Sequence, residues 1–216
     1  MERAAIVVAV MMTLVMPGTA PAAEAASVQE CYRLSYATEA RGDFSGALHF
    51  MDEAAKQGET GYLLHLRRGW LLHLARRHAD SAVAYSRAIE VEPRAVEPRL
   101  GAMLPLMAQR RWKEADRLGQ DVLSIAPGDF TAQSRLAFIQ YTQGNFAQAE
   151  AWYRGALAAY PGSVEMRVGL AWSLGKQQKF QEARAEFQRV LAVAPDHASA
   201  KEGFAGLPPP SPGPTP

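Results

Sequence analysis

The apolar positions of the chain follow one pattern five times over. An aromatic residue or a histidine stands at Phe44, His78, Trp112, Phe146 and Phe180. A small residue follows three positions later, at Ala47, Ser81, Ala115, Ala149 and Ala183. Seven positions beyond come Ala54, Ala88, Val122, Ala156 and Val190. Spacings of three and seven lie on one face of a helix, so each block predicts a helix. Pro93, Pro127, Pro161 and Pro195 recur every 34 residues, each placed to stop such a helix. A fixed period of this length marks a solenoid. It divides the chain into units 28–61, 62–95, 96–129, 130–163 and 164–197, the first with Glu59 where the others have proline. No unit can bury its apolar face alone, so stability must come from stacking. Asp129 and Ser163 stand where N-caps are needed.

These columns resemble the tetratricopeptide repeat. Leu34, Leu136 and Leu170 match its first-helix leucine, where Arg68 and Ala102 depart. Ser35, Gly69, Ala137 and Ala171 match the adjacent small column, where Met103 departs. The resemblance covers residues 28–197. It implies an all-α, right-handed solenoid of about five stacked helix-turn-helix repeats, with 198–207 as a short capping helix over the exposed end.

The resemblance also implies a concave groove lined by the first helix of each repeat. Its positions map here onto Tyr32, Arg33 and Tyr36; Leu63, Leu66, Arg67, Trp70 and His73; Leu100, Leu104 and Met107; Arg135, Phe138 and Tyr141; and Trp172. One column reads Tyr36, Trp70, Leu104, Phe138 and Trp172, which is too apolar for a face left to water. The expected ligand is a peptide or partner helix with apolar anchors, its polar or acidic groups held by Arg33, Arg67 and Arg135. The bland alternative is an apolar stripe that packs into the core. Tyr32 and Tyr36 occupy positions that the family's carboxylate clamp would need, so no clamp is expected.

Within the third unit, "GAMLPLM" from Gly101 to Met107 places Pro105 inside an apolar helix. A kink is expected there, because proline cannot donate to the Gly101 carbonyl. Met103, bulky where the other units are small, is expected to push the paired helices apart.

The ends read differently. Ala4 to Met16 is an apolar run, followed by Pro17, Gly18 and a stretch of small residues. That layout is a secretory signal peptide, 1–22, with cleavage extending to 25 as the alternative. It is short of the ~20 residues of a membrane span. Periplasmic export is expected, with no stable membrane span after cleavage; an N-terminal anchor facing the periplasm is the alternative. The segment 208–216, "PPPSPGPTP", reads as a polyproline-like, disordered tail.

Composition narrows the chemistry. The 216 residues carry a formal net charge of +1, which gives no field for nucleic acid. One cysteine, Cys31, rules out an internal disulfide framework, and its helical position reads as a buried thiol. No phosphate loop or metal-binding HExxH stretch is present. His65, His73 and His78 lack a recognised ligand spacing, and Glu39, Glu97 and Glu165 are dispersed over separate repeats. Neither cofactor, metal nor catalytic residue is expected. Arg76, Arg77, Arg110 and Arg111 would form a basic rim along successive turns. The reading is a non-catalytic protein-binding scaffold or adaptor in an envelope assembly, export or maturation complex. The alternatives are a homo-oligomeric structural component with a self-occluded groove, and an enzyme with an unrecognised site.

Overall fold

The computed structural model describes residues 26–209, so the proposed signal segment and residues 210–216 lie outside it. Eleven helices follow one another among the described residues. They are α1 (Val28–Glu39), α2 (Phe44–Lys56), α3 (Tyr62–Leu74), α4 (His78–Val91), α5 (Glu97–Ala108) and α6 (Trp112–Ile125), then α7 (Phe130–Thr142), α8 (Phe146–Ala159), α9 (Val164–Lys176), α10 (Phe180–Val193) and α11 (Ala198–Ala205).

Local chemistry sets where they begin and end. The side chains of Ser27, Asp43, Asp129, Ser163 and His197 accept the first free amides of α1, α2, α7, α9 and α11. The second helix of each later unit stops at Val91, Ile125, Ala159 and Val193, two residues before the periodic proline. Proline disfavours helical geometry in the residue before it.

The turns inside the hairpins share one conformation. Gly42, Arg76, Arg110, Gly144 and Gln178 all have φ between 57° and 82°. The amide of the next residue reaches back to the preceding helix, as in Arg77 N–H to the Leu72 carbonyl at 2.8 Å and Arg111 N–H to the Leu106 carbonyl at 2.9 Å. This is the glycine-favouring helix C-terminus, yet two units place arginine there. A non-glycine residue in this region costs about 1–2 kcal/mol, partly offset by the unfolded-state entropy that glycine adds. Arg76→Gly and Arg110→Gly are therefore each expected to raise the unfolding free energy by about 0.5–1 kcal/mol, measured by chemical denaturation. The neighbouring Arg77 and Arg111 pair with Asp80 and Glu114 at 2.7 and 2.6 Å, so half of the expected basic rim is already neutralised.

Each helix packs on the next, and α3, α5, α7, α9 and α11 also touch in series. The odd-numbered helices thus form the inner layer of a curved two-layer solenoid. The core between the layers is a chain of small clusters. Cys31, Met51, Leu64 and Leu71 are buried at one end, and Val168, Phe187, Val190 and Ala200 at the other. At the centre, Met103, Leu106, Ala115 and Ile139 pack together.

The third unit departs from the others in its packing. α5 runs unbroken through Pro105, whose ring is fully buried. Packing around the ring keeps the helix continuous across the lost hydrogen bond. Met103 does not wedge the hairpin apart as expected. At the position where other units carry Met51, Tyr85, Tyr153 and Phe187, α6 carries Gly119. A Cβ on Gly119 would lie 3.0 Å from the Met103 Cε and 2.8 Å from Leu136. The large and small partners have changed helices, and Met103 fills the space an aromatic or methionine fills elsewhere.

Candidate functional site: a groove on the inner layer

Helices α1, α3 and α5 enclose a concavity of about 770 Å³. Tyr32 and Tyr36 come from α1, Leu63, Leu66 and Trp70 from α3, and Leu104 from α5. Arg67 and Arg135 complete this part of the lining. Leu63 is 63% exposed, Tyr36 58% and Trp70 38%, although all three belong to well-packed helices.

A residue from the outer layer also reaches this surface. Tyr85 of α4 passes between Gly69 and Gly101, where a Cβ would stand 2.8 and 2.4 Å from its ring. Glycine at both positions is what admits the ring. Burial pushes the Tyr85 phenol up to about 12, so it is a neutral group. Mapping first-helix positions alone overlooks Tyr85. The two glycines in otherwise apolar helices were the available signal of a close approach.

The charges are largely engaged with one another. Arg67 is only 6% exposed. Its guanidinium stacks 3.7 Å over the Tyr36 ring, donates to Ser35 Oγ at 3.1 and 3.2 Å, and pairs with Glu39. The other Glu39 oxygen accepts from Trp70 Nε1 at 2.6 Å. Arg67 is thus a structural cation that holds Tyr36 directly and Trp70 through Glu39, rather than the ligand-holding group expected from sequence. Arg33 points elsewhere and pairs with Glu30 on its own helix at 2.5 Å. Arg135 donates to the Leu100 carbonyl, next to the Gly101 carbonyl that Pro105 leaves without its usual helical donor. Burial lowers the Arg135 pKa.

The remaining expected residues divide. His73 lies between Trp70 and His78, at ring separations of 6.3 and 5.3 Å. Burial first, then His78 and Arg135, lowers its pKa, so it is neutral at neutral pH. Leu100 and Met107 pack against the Met103 cluster. Phe138 is exposed and meets Trp112 edge-on at 6.5 Å. Tyr141 packs edge-on against Phe146 at 5.4 Å. Trp172 is held by the terminal helix: its indole donates to Ser199 Oγ at 2.9 Å and meets Phe187 edge-on at 5.6 Å. The column that looked uniform in sequence is exposed at Tyr36, Trp70 and Phe138 and half-buried at Trp172. Among the described residues no group of three His, Cys, Asp or Glu side chains could hold a metal ion.

Two segments of the chain, 106–156 and 143–203, match the tetratricopeptide repeat family model. Residues 106–203 are tetratricopeptide repeats. Similar solved structures extend the likeness over most of the described length. A tetratricopeptide repeat protein from Parabacteroides merdae superposes with a TM-score of 0.76 at 17% identity, over 82% of this chain and 71% of that one. MamA from Desulfovibrio magneticus RS-1 gives 0.73 at 15% identity, over 79% and 97%. YrrB, described as a tetratricopeptide repeat protein with an unusual peptide-binding site, gives 0.70 at 12% identity, over 82% and 91%. At these identities the likeness is one of fold. No curated protein matches the sequence.

Proposed function

We propose that this protein is a binding scaffold that takes an apolar-anchored peptide or partner helix in the α1–α3–α5 groove. The observation that carries the proposal is the exposure of Tyr36, Leu63 and Trp70 around one concavity. A contiguous apolar surface of this kind marks an interaction site, and Trp and Tyr are enriched among residues that dominate binding. The rings are also pre-organised: Glu39 and Arg67 hold Trp70 and Tyr36 before any ligand arrives. Pre-ordered side chains reduce the entropy lost on association. YrrB, whose structure is described by its peptide-binding site, lends support at the level of fold. Binding rather than catalysis is favoured because Glu39, the acidic group nearest the rings, is occupied by two donors.

Trp70→Ala is expected to weaken a captured partner by about 2 kcal/mol, roughly 30-fold. Affinity capture with the wild type and the variant, followed by titration of the protein retained, checks this. Equal affinity for both would refute the groove reading.

We place the protein in the periplasm, supported by the Ala4–Met16 run and the small residues after it. The mature protein is expected to begin at Ala23, as read by N-terminal sequencing of the periplasmic fraction. A chain retaining Met1 in the membrane fraction would establish the anchored alternative.

A further inference from the structure

We infer that the groove takes a proline-rich segment, and that its occupant is residues 209–216 of a second copy of this chain. The inference rests on the groove reading above and adds the chemistry of the ligand.

The first observation is charge. Within the lining, Arg67 is paired with Glu39, and the remaining charged groups are one cation, Arg135, and one anion, Glu97. The site is balanced and suits a neutral ligand better than an acidic one. The segment "PPSPGPTP" contains no charged side chain. The second observation is hydrogen bonding. Both oxygens of Glu39 already accept, from Trp70 and from Arg67. Arg135 donates to a single carbonyl, that of Leu100, and so retains N–H groups for another acceptor. The Glu97 carboxylate at the other side accepts from the Tyr62 hydroxyl at 3.3 Å, so the donor left open is Arg135, and a ligand that brings carbonyls fits it. Proline offers a carbonyl and no N–H, and five of the eight residues from 209 to 216 are proline. The third observation is shape. Extended polyproline helices dock in grooves lined by aromatic rings, because the ligand is already ordered. Tyr36 and Trp70 supply such rings with Leu63 beside them.

Length keeps the same molecule's segment from lying along Tyr36 and Trp70. Leu207 packs against α9 and α10 residues, and the Pro208 carbonyl accepts from Arg184 of α10 at 2.5 Å. From that anchor, residues 209–216 reach about 25 Å as a polyproline helix. The path from α9 past α7 and α5 to α3 is three helix spacings, roughly 24–30 Å, which leaves almost no length to lie along the Tyr36 and Trp70 rings, although Arg135 on α7 is nearer. A second copy can bring the whole segment to those rings.

The test uses the mature chain from Ala23 with Pro209, Pro210, Pro212 and Pro214 each changed to serine, so that its own segment cannot compete. A fluorescent synthetic peptide of residues 207–216 is titrated into it and followed by anisotropy. Saturable binding is expected, weakened roughly 30-fold by Trp70→Ala and at least tenfold by Leu63→Glu. Leu63 is mostly exposed, so that second variant keeps the fold; thermal melts verify both. The unsubstituted chain is expected to sediment as a concentration-dependent oligomer and the serine variant as a monomer. Absence of peptide binding, or equal binding to all groove variants, overturns the assignment. Monomeric sedimentation of the unsubstituted chain overturns the two-copy arrangement. If the peptide fails while another protein is still captured in a Trp70-dependent way, the tail assignment falls and the groove reading stands. If both fail, both fall.

Discussion

Met103→Ala is expected to lower the unfolding free energy by about 2–5 kcal/mol, the cost of emptying a fully buried methionine site. Gly119→Met is expected to cost about 1–3 kcal/mol by overpacking, reduced by the helix propensity gained on losing glycine. A Cβ at Gly119 already approaches Leu136 and the Met103 Cε closely, so the added side chain has no room while Met103 stays. The double variant moves one methionine from α5 to α6 and recreates the arrangement of the first unit, where Met51 lies on the second helix opposite Ser35. It is expected to return to within about 1.5 kcal/mol of the parent, as volume-conserving exchanges do. Urea denaturation of the four proteins measures the coupling. Additive costs would show that Met103 and Gly119 do not share one space.

That pair also shows where the sequence was readable and where it was not. The helices could be read from single columns, because a helix buries one stripe and the stripe repeats every 34 residues. Asp129 and Ser163 could be read as caps for the same reason, since a cap depends on residues three positions away. Met103 read alone looked like a steric fault. Its compensation lies in α6, sixteen residues on, in another column, and only packing brings the two together. Pro105 behaves similarly: the helical hydrogen-bond rule is local, while the burial that keeps α5 continuous is not.

The groove divides along the same line. Exposure of Tyr36, Leu63 and Trp70 followed from position within the unit, because inner-layer helices place those side chains alike. The roles of the arginines did not. Arg67 looked like a cation available to a ligand, and what occupies it is Glu39, 28 residues earlier, together with Ser35. Trp172 shared the column of Trp70, but the last unit has α11 above it and Ser199 to accept its indole. End units differ from interior ones because they must close the stack.

The Arg67–Glu39 pair leads to the second large effect. Glu39→Ala would leave the Arg67 guanidinium, 6% exposed, without its countercharge. Removing one partner of a fully buried pair costs about 3–5 kcal/mol. The Glu39 side chain keeps about a fifth of its surface in solvent, and water partly compensates, so roughly 2–4 kcal/mol is expected here. Arg67→Met alone leaves the carboxylate with Trp70 Nε1 and solvent and is expected to cost less. The double change Arg67→Met with Glu39→Gln removes both charges and keeps an acceptor for the indole. It is expected to recover most of the loss, because a buried ion pair exchanged for neutral groups is often nearly neutral. Chemical denaturation gives the stabilities, and the binding of a captured partner gives a second, independent readout. Glu39→Ala frees both Tyr36 and Trp70, so binding should fall even at temperatures where the variant is folded. The double change keeps the Trp70 bond and should lose less affinity than Glu39→Ala. Stability that falls while affinity holds would mean that the rings need no pre-ordering to bind, and that the pair serves the fold alone.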